Sequence, residues 1–69
     1  MKLRNKSELS RRELEVLRLM AAEKSNKEIG AALGIKVGSV KIHVHHILLK
    51  LNANSRGTAV GEGLNRGVL

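Results

Sequence analysis

Residues 25–51 read SNKEIGAALGIKVGSVKIHVHHILLKL, and this stretch decides the fold. Ser25 followed three residues later by Glu28 is a capping box, in which each side chain satisfies the other residue's backbone N–H, so a helix starts there. Ile29, Ala32 and Leu33 then repeat at helical spacing, and Gly34 can take the positive φ that ends the helix. A second helix starts near Val37 or Gly38 and carries on to Leu51. Val40, Val44, Ile47, Leu48 and Leu51 fall on one side of it. At about 100° per residue, Gly38, Lys41, Ile42, His45 and Leu49 fall on the other, and this second face needs explaining.

Helix, short turn with glycine, longer helix is the helix-turn-helix arrangement, whose second helix enters the DNA major groove. Gly30 falls where the two helices must cross closely, a packing reason for a residue that costs about 1 kcal/mol in helix propensity. Ile35 and Val40 flank the turn and can lock the two helices into one unit.

Several motifs at fixed spacing carry a resemblance. Leu9-Ser10-Arg11-Arg12-Glu13-Leu14-Glu15-Val16-Leu17 looks like a Leu-Thr-x-Arg-Glu-x-Glu-Val-Leu opening. Ser25-Asn26-Lys27-Glu28-Ile29 follows, then Val37-Gly38-Ser39-Val40-Lys41-x-His43, Lys50-Leu51 and Ser55-Arg56. In these the chain resembles the LuxR/GerE-type DNA-binding domains, the output domains of NarL/FixJ response regulators in bacterial two-component systems. The resemblance implies an all-α, four-helix domain of the LuxR C-terminal effector-like kind over residues 9–69. It implies a scaffold helix at about 26–33, a recognition helix at about 37–51 and a dimerisation helix at about 55–66. Lys41, Ile42 and His45 match positions that read bases in members of the family, and Val60, Gly63 and Leu64 are the dimer partners it implies. The chain departs from the pattern at Lys36, where a Ser or Thr cap is usual, at Ser39 for Thr, at Asn52 for Gly and at His45, where Lys is common.

The chemistry of those residues fits duplex DNA. Lys41 can donate to guanine O6/N7 or to phosphate, Ile42 can meet a thymine methyl, and His45, one turn on, can hydrogen-bond a base or phosphate. A solitary exposed isoleucine is the alternative for Ile42, since scattered apolar residues are normal on surfaces. Asn26 and Lys27 sit in a helix first turn, a natural phosphate seat. Lys36, Ser39, His46, Lys50 and Arg56 complete the expected phosphate set. If His45 or His46 is protonated on binding, affinity rises as pH falls. His43 and His46 share spacing on a helix, but no Cys, Asp or third ligand stands near in sequence, so no metal is expected. His43 is expected at the core edge.

The rest of the composition narrows the classes. A chain of 69 residues has room for one small domain, burying about 60% of its unfolded surface. It has no Phe, Tyr or Trp, which argues against stacking platforms for single-stranded nucleic acid. Having no cysteine, it lacks a disulfide framework and thiolate zinc, which fits a cytoplasmic setting. No apolar run nears the length of a membrane span and no signal peptide is visible. Thirteen basic against six acidic residues give +7, a balance that points to a polyanion. From Ile29 to Gly61 there is no Asp or Glu. No P-loop spacing, nucleophile elbow or paired carboxylates appear, so the chain reads as a non-enzyme without cofactor or small-molecule ligand.

Outside the central stretch, residues 1–8 lack periodicity and read as a basic arm, a linker remnant or a solvated terminus. Ser10 with Glu13 is a second capping box, opening a helix to about Ala22. Leu14, Leu17 and Ala21 line its apolar face, widened by Val16 and Met20. Glu13 is expected to cap, with pairing to a basic residue such as Arg56 as the alternative. Asn54 or Ser55 caps a last helix that Gly57, Gly61, Gly63 and Gly67 weaken, read as loosely formed until dimerisation orders it.

The expectation is sequence-specific binding of double-stranded DNA as a bacterial transcriptional regulator, as a homodimer, with RNA polymerase a further partner and no membrane. A sigma-factor-like promoter module and a basic protein-interaction module without sequence readout are the alternatives. Both a stand-alone protein and an excised output domain fit the length.

Overall fold

The computed structural model describes residues 9–69, and the arm read over residues 1–8 lies outside them. These residues form helices α1 (Arg11–Ala21), α2 (Asn26–Leu33), α3 (Val37–Lys50) and α4 (Arg56–Asn65), with no strand among the described residues. The all-α, four-helix expectation holds.

Local chemistry sets the helix ends. In both capping boxes the serine accepts the N–H of the glutamate three residues on at 3.1 Å, and that glutamate accepts the serine N–H. Ser55 caps α4 by accepting the Thr58 N–H at 3.1 Å. α3 alone starts without a side-chain cap, because Lys36 occupies that position. All four helices stop in the same way, with one left-handed residue just past the end. These residues are Glu23 (φ 62°), Gly34 (69°), Asn52 (54°) and Gly67 (76°). Beyond each, the next N–H bonds back to a carbonyl in the last turn: Lys24 to Leu19, Ile35 to Gly30, Ala53 to Leu48 and Val68 to Gly63. This double-bonded stop satisfies carbonyls that a helix end leaves orphaned.

The core gathers Leu9, Val16, Leu17, Met20, Ile29, Val40, Ile47, Leu51 and Ala59. α1 lies against both α3 and α4, while α2 packs on α3. On α3, Val40, Ile47 and Leu51 are buried and Val44 and Leu48 half-buried, as the periodicity requires. Gly30 is buried at the α2–α3 crossing, where a Cβ would stand 2.7 Å from the Ile35 carbonyl oxygen. Only glycine lets the backbones approach that closely.

Three expectations are corrected. Ala21 and Ala32 are exposed. The inward stripe of α1 is instead Glu13, Val16, Leu17 and Met20, and Gly30 takes the inward place beside Ile29. A carboxylate and a glycine occupy core positions, so both inward stripes are offset from the one the apolar side chains mark. The third correction is α4, which is formed within the single protomer. Ala59 and Gly63 are buried, and a Cβ on Gly63 would meet Leu17 and Leu69 at 3.0 Å. Gly63 therefore admits close packing that offsets its poor propensity, and Gly67 ends the helix.

Candidate nucleic-acid interface

The uncapped start of α3 and the first turn of α2 meet in a shallow cleft lined by Lys27, Gly30, Ala31, Gly34, Ile35, Lys36, Val37 and Ser39. Three expected phosphate ligands, Lys27, Lys36 and Ser39, are thereby brought together. Lys27 and Lys36 are exposed, and Ser39 is half-buried. Among the described residues neither lysine forms an ion pair, nor does Lys41. Unneutralised charge beside orphaned helix N–H groups suits an anion.

Lys41, Ile42 and His45 stand exposed along the outer face of α3, Ile42 with 57% of its surface open. Leu49 continues the stripe, 66% exposed. His43 is half-buried, as expected for a core-edge residue. Among the described residues no group of His, Asp and Glu side chains gathers as a metal set.

Four of the expected phosphate ligands are engaged inside the protomer. Lys50 Nζ donates to Glu13 Oε1 at 2.8 Å, while His46 Nδ1 lies 3.8 Å from Glu13 Oε2. Arg56 donates to Asn26 Oδ1 at 2.7 Å and to the Lys24 carbonyl at 2.8 Å. Arg56 thus ties the start of α4 to the start of α2 and fixes Asn26, whose amide N–H₂ has no acceptor among the described residues. The pairing of Glu13 with Arg56 is not formed; Lys50 takes that place.

Glu13 is the residue that sequence reasoning undervalued. It is 5% exposed, and one oxygen accepts from both the Ser10 N–H at 2.9 Å and Lys50. Burial by itself would raise its carboxyl, but the Lys50 and Ser10 hydrogen bonds and the charges of Lys50 and His46 outweigh that and hold it below its ordinary value of 4.5. A buried anion thereby joins the cap of α1 to the last turns of α3. Glu28 is also lowered, first by the Ser25 N–H it accepts, though it sits at the surface. The Glu13–Lys50 pair spans 37 residues, so no local spacing signals it.

The candidate dimer residues divide by orientation. Gly63 faces the protomer's own core, Val60 is half-buried against it, and Leu64 stands 63% exposed.

A family model described as bacterial regulatory proteins, luxR family, matches residues 7–61. The chain belongs to the luxR family of bacterial regulatory proteins. It is 51% identical over 59 residues to the transcriptional regulatory protein DegU of Brevibacillus brevis, covering 86% of this chain and 25% of that protein. With the transcriptional regulatory protein LiaR of Bacillus subtilis strain 168 it shares 49% over 51 residues, 74% of this chain and 24% of LiaR. The nitrate/nitrite response regulator protein NarP of Escherichia coli K12 is 45% identical over 53 residues, 77% of this chain and 25% of NarP. The chain thus spans about a quarter of the length of these relatives. The family is one of DNA-binding regulators, not of enzymes. No described helix is long and apolar enough to cross a membrane.

Proposed function

We propose that the chain is a sequence-specific duplex-DNA reader of a bacterial transcriptional regulator, with α3 entering the major groove. The carrying observation is the coincidence of Lys27 and Lys36, neither in an ion pair among the described residues, with the exposed Lys41–Ile42–His45 face, which lies in a segment free of acids from Ile29 to Gly61. Lys41 donates to a purine edge, Ile42 packs on a thymine methyl and His45 bonds the next base. Lys27, Lys36, Ser39 and the Asn26 amide hold phosphates and set the register. His46, Lys50 and Arg56 work first as positioning groups, with their remaining N–H donors turned to the flanking backbone. The relatives' names are those of regulators rather than sigma factors, which favours this reading over a promoter module. A cytoplasmic site of action follows from the DNA partner.

On DNA the chain works as a homodimer, with the exposed side of α4 at Leu64 and Val60 meeting its copy. A two-fold protein matches two half-sites about one helical turn apart. Enrichment of bound duplexes from a random pool tests the reading: a recurring motif, repeated at that spacing, is expected. Recovery of unrelated sequences would overturn it.

A further inference from the structure

The chain has seven glycines, and four have reasons inside the protomer. Gly34 and Gly67 hold positive φ, while Gly30 and Gly63 are packed where a Cβ would lie within 3.0 Å of a neighbour. Gly38, Gly57 and Gly61 have neither reason: nothing stands within 4 Å of where a Cβ would be, and none has a positive φ. All three lie within helices, where glycine is the poorest former after proline. Gly57 and Gly61 belong to α4, the element assigned above to the second copy. Gly38 is different. It sits in the first turn of α3, exposed, with Lys41, Ile42 and His45 following three, four and seven residues on, along one helical face.

We infer that Gly38 is a specificity-determining position of the DNA interface, where the absence of a side chain lets the α3 backbone come into contact with the duplex. Glycine is the residue that permits close approach of backbone to a ligand. The surroundings are cleared in the same sense: Lys36 offers no side-chain cap and the first turn holds no acid. A side chain at 38 stands between helix and groove and lifts Lys41 and Ile42 away from the base edges. In loose, sequence-independent binding the helix is not seated, so the same side chain has little to obstruct. The inference rests on the reading of α3 as the groove-entering helix.

The test uses the 69-residue chain with Gly38→Ala and Gly38→Leu, a duplex enriched from a random pool by the wild-type protein, and an unrelated duplex of equal length. Gly38→Ala is expected to raise the melting temperature by about 4 °C, since alanine is the better helix former and meets nothing in the protomer. Its affinity for the enriched duplex should fall about tenfold, the scale of one lost base contact, and Gly38→Leu should fall further. Binding to the unrelated duplex should stay within about twofold of wild type, because phosphate contacts dominate it. Unchanged affinity for the enriched duplex, an equal loss on both duplexes, or a lowered melting temperature with alanine would each overturn the inference. Failure of the wild type to enrich any duplex would instead overturn the DNA-reading proposal beneath it, so the two failures are distinguishable.

Discussion

At the scale of single residues, a charge in the core and a strained backbone carry most of what is particular to this chain. Glu13 is buried yet anionic because a backbone N–H and the Lys50 ammonium share its oxygen. Glu13→Gln keeps a side chain that can cap but leaves Lys50 unmatched, and should cost about 1–2 kcal/mol, a figure already reduced for the partial exposure of Lys50. It is checked by urea unfolding at pH 7. The carboxyl is held below 4.5 only in the folded chain, so the unfolded chain binds more protons as pH falls through that value. The stabilisation is thus full above about pH 4.5 and is lost progressively on acidification. Glu13→Gln should flatten this slope. Glu23 is the second case, a non-glycine at φ 62° past the end of α1. A left-handed residue with a Cβ costs about 1–2 kcal/mol; Glu23→Gly should return about 1 kcal/mol of it. Glu23→Ala, which removes the charge but keeps the Cβ, should show no such gain by thermal melting.

At the scale of elements, the helix pair was legible and its surroundings less so. The capping boxes at Ser10 and Ser25 and the stop at Gly34 are local chemistry, and each stands where the residues put it. Asn52 was readable as a left-handed stop because asparagine tolerates that conformation; Glu23 was not, because nothing in glutamate favours it. The order of α4 is not legible locally, because glycine propensity is a local quantity whereas the burial of Ala59 and Gly63 is tertiary. The outward face of α3 was legible from periodicity, but the internal engagement of Lys50, His46 and Arg56 was not, since their partners lie far along the chain. α3 also carries a testable conflict between stability and binding. Lys36→Ser supplies the missing cap and should stabilise the fold by about 1 kcal/mol. It also removes a cation from the cleft, so binding should weaken on enriched and unrelated duplexes alike. Melting curves and titrations on the same preparation separate the two effects, and equal binding by the variant would remove Lys36 from the phosphate set.

For the whole molecule, the decisive feature is how charge is distributed over a small helical body. Four of the six acids serve caps and pairs: Glu13 and Glu28 close capping boxes, Glu15 meets Arg12, and Glu62 meets Arg66. The chain as a whole carries +7, and the segment from Ile29 to Gly61 adds Lys36, Lys41, Lys50 and Arg56 with no acid; such a balance raises encounter rates with a polyanion and makes affinity salt-dependent. Phosphate charge gives affinity without sequence, and base-edge contacts give sequence with less charge, so substitutions in the two groups should fail differently. The most direct measurement is therefore a salt series of binding by wild type, Lys27→Ala and Lys41→Ala to an enriched and an unrelated duplex. Lys27→Ala should weaken both and flatten the salt slope by up to about one unit. Lys41→Ala should erase most of the preference for the enriched duplex. Equal, salt-driven binding of wild type and Lys41→Ala to both duplexes would contradict the account and leave α3 a basic surface rather than a reader.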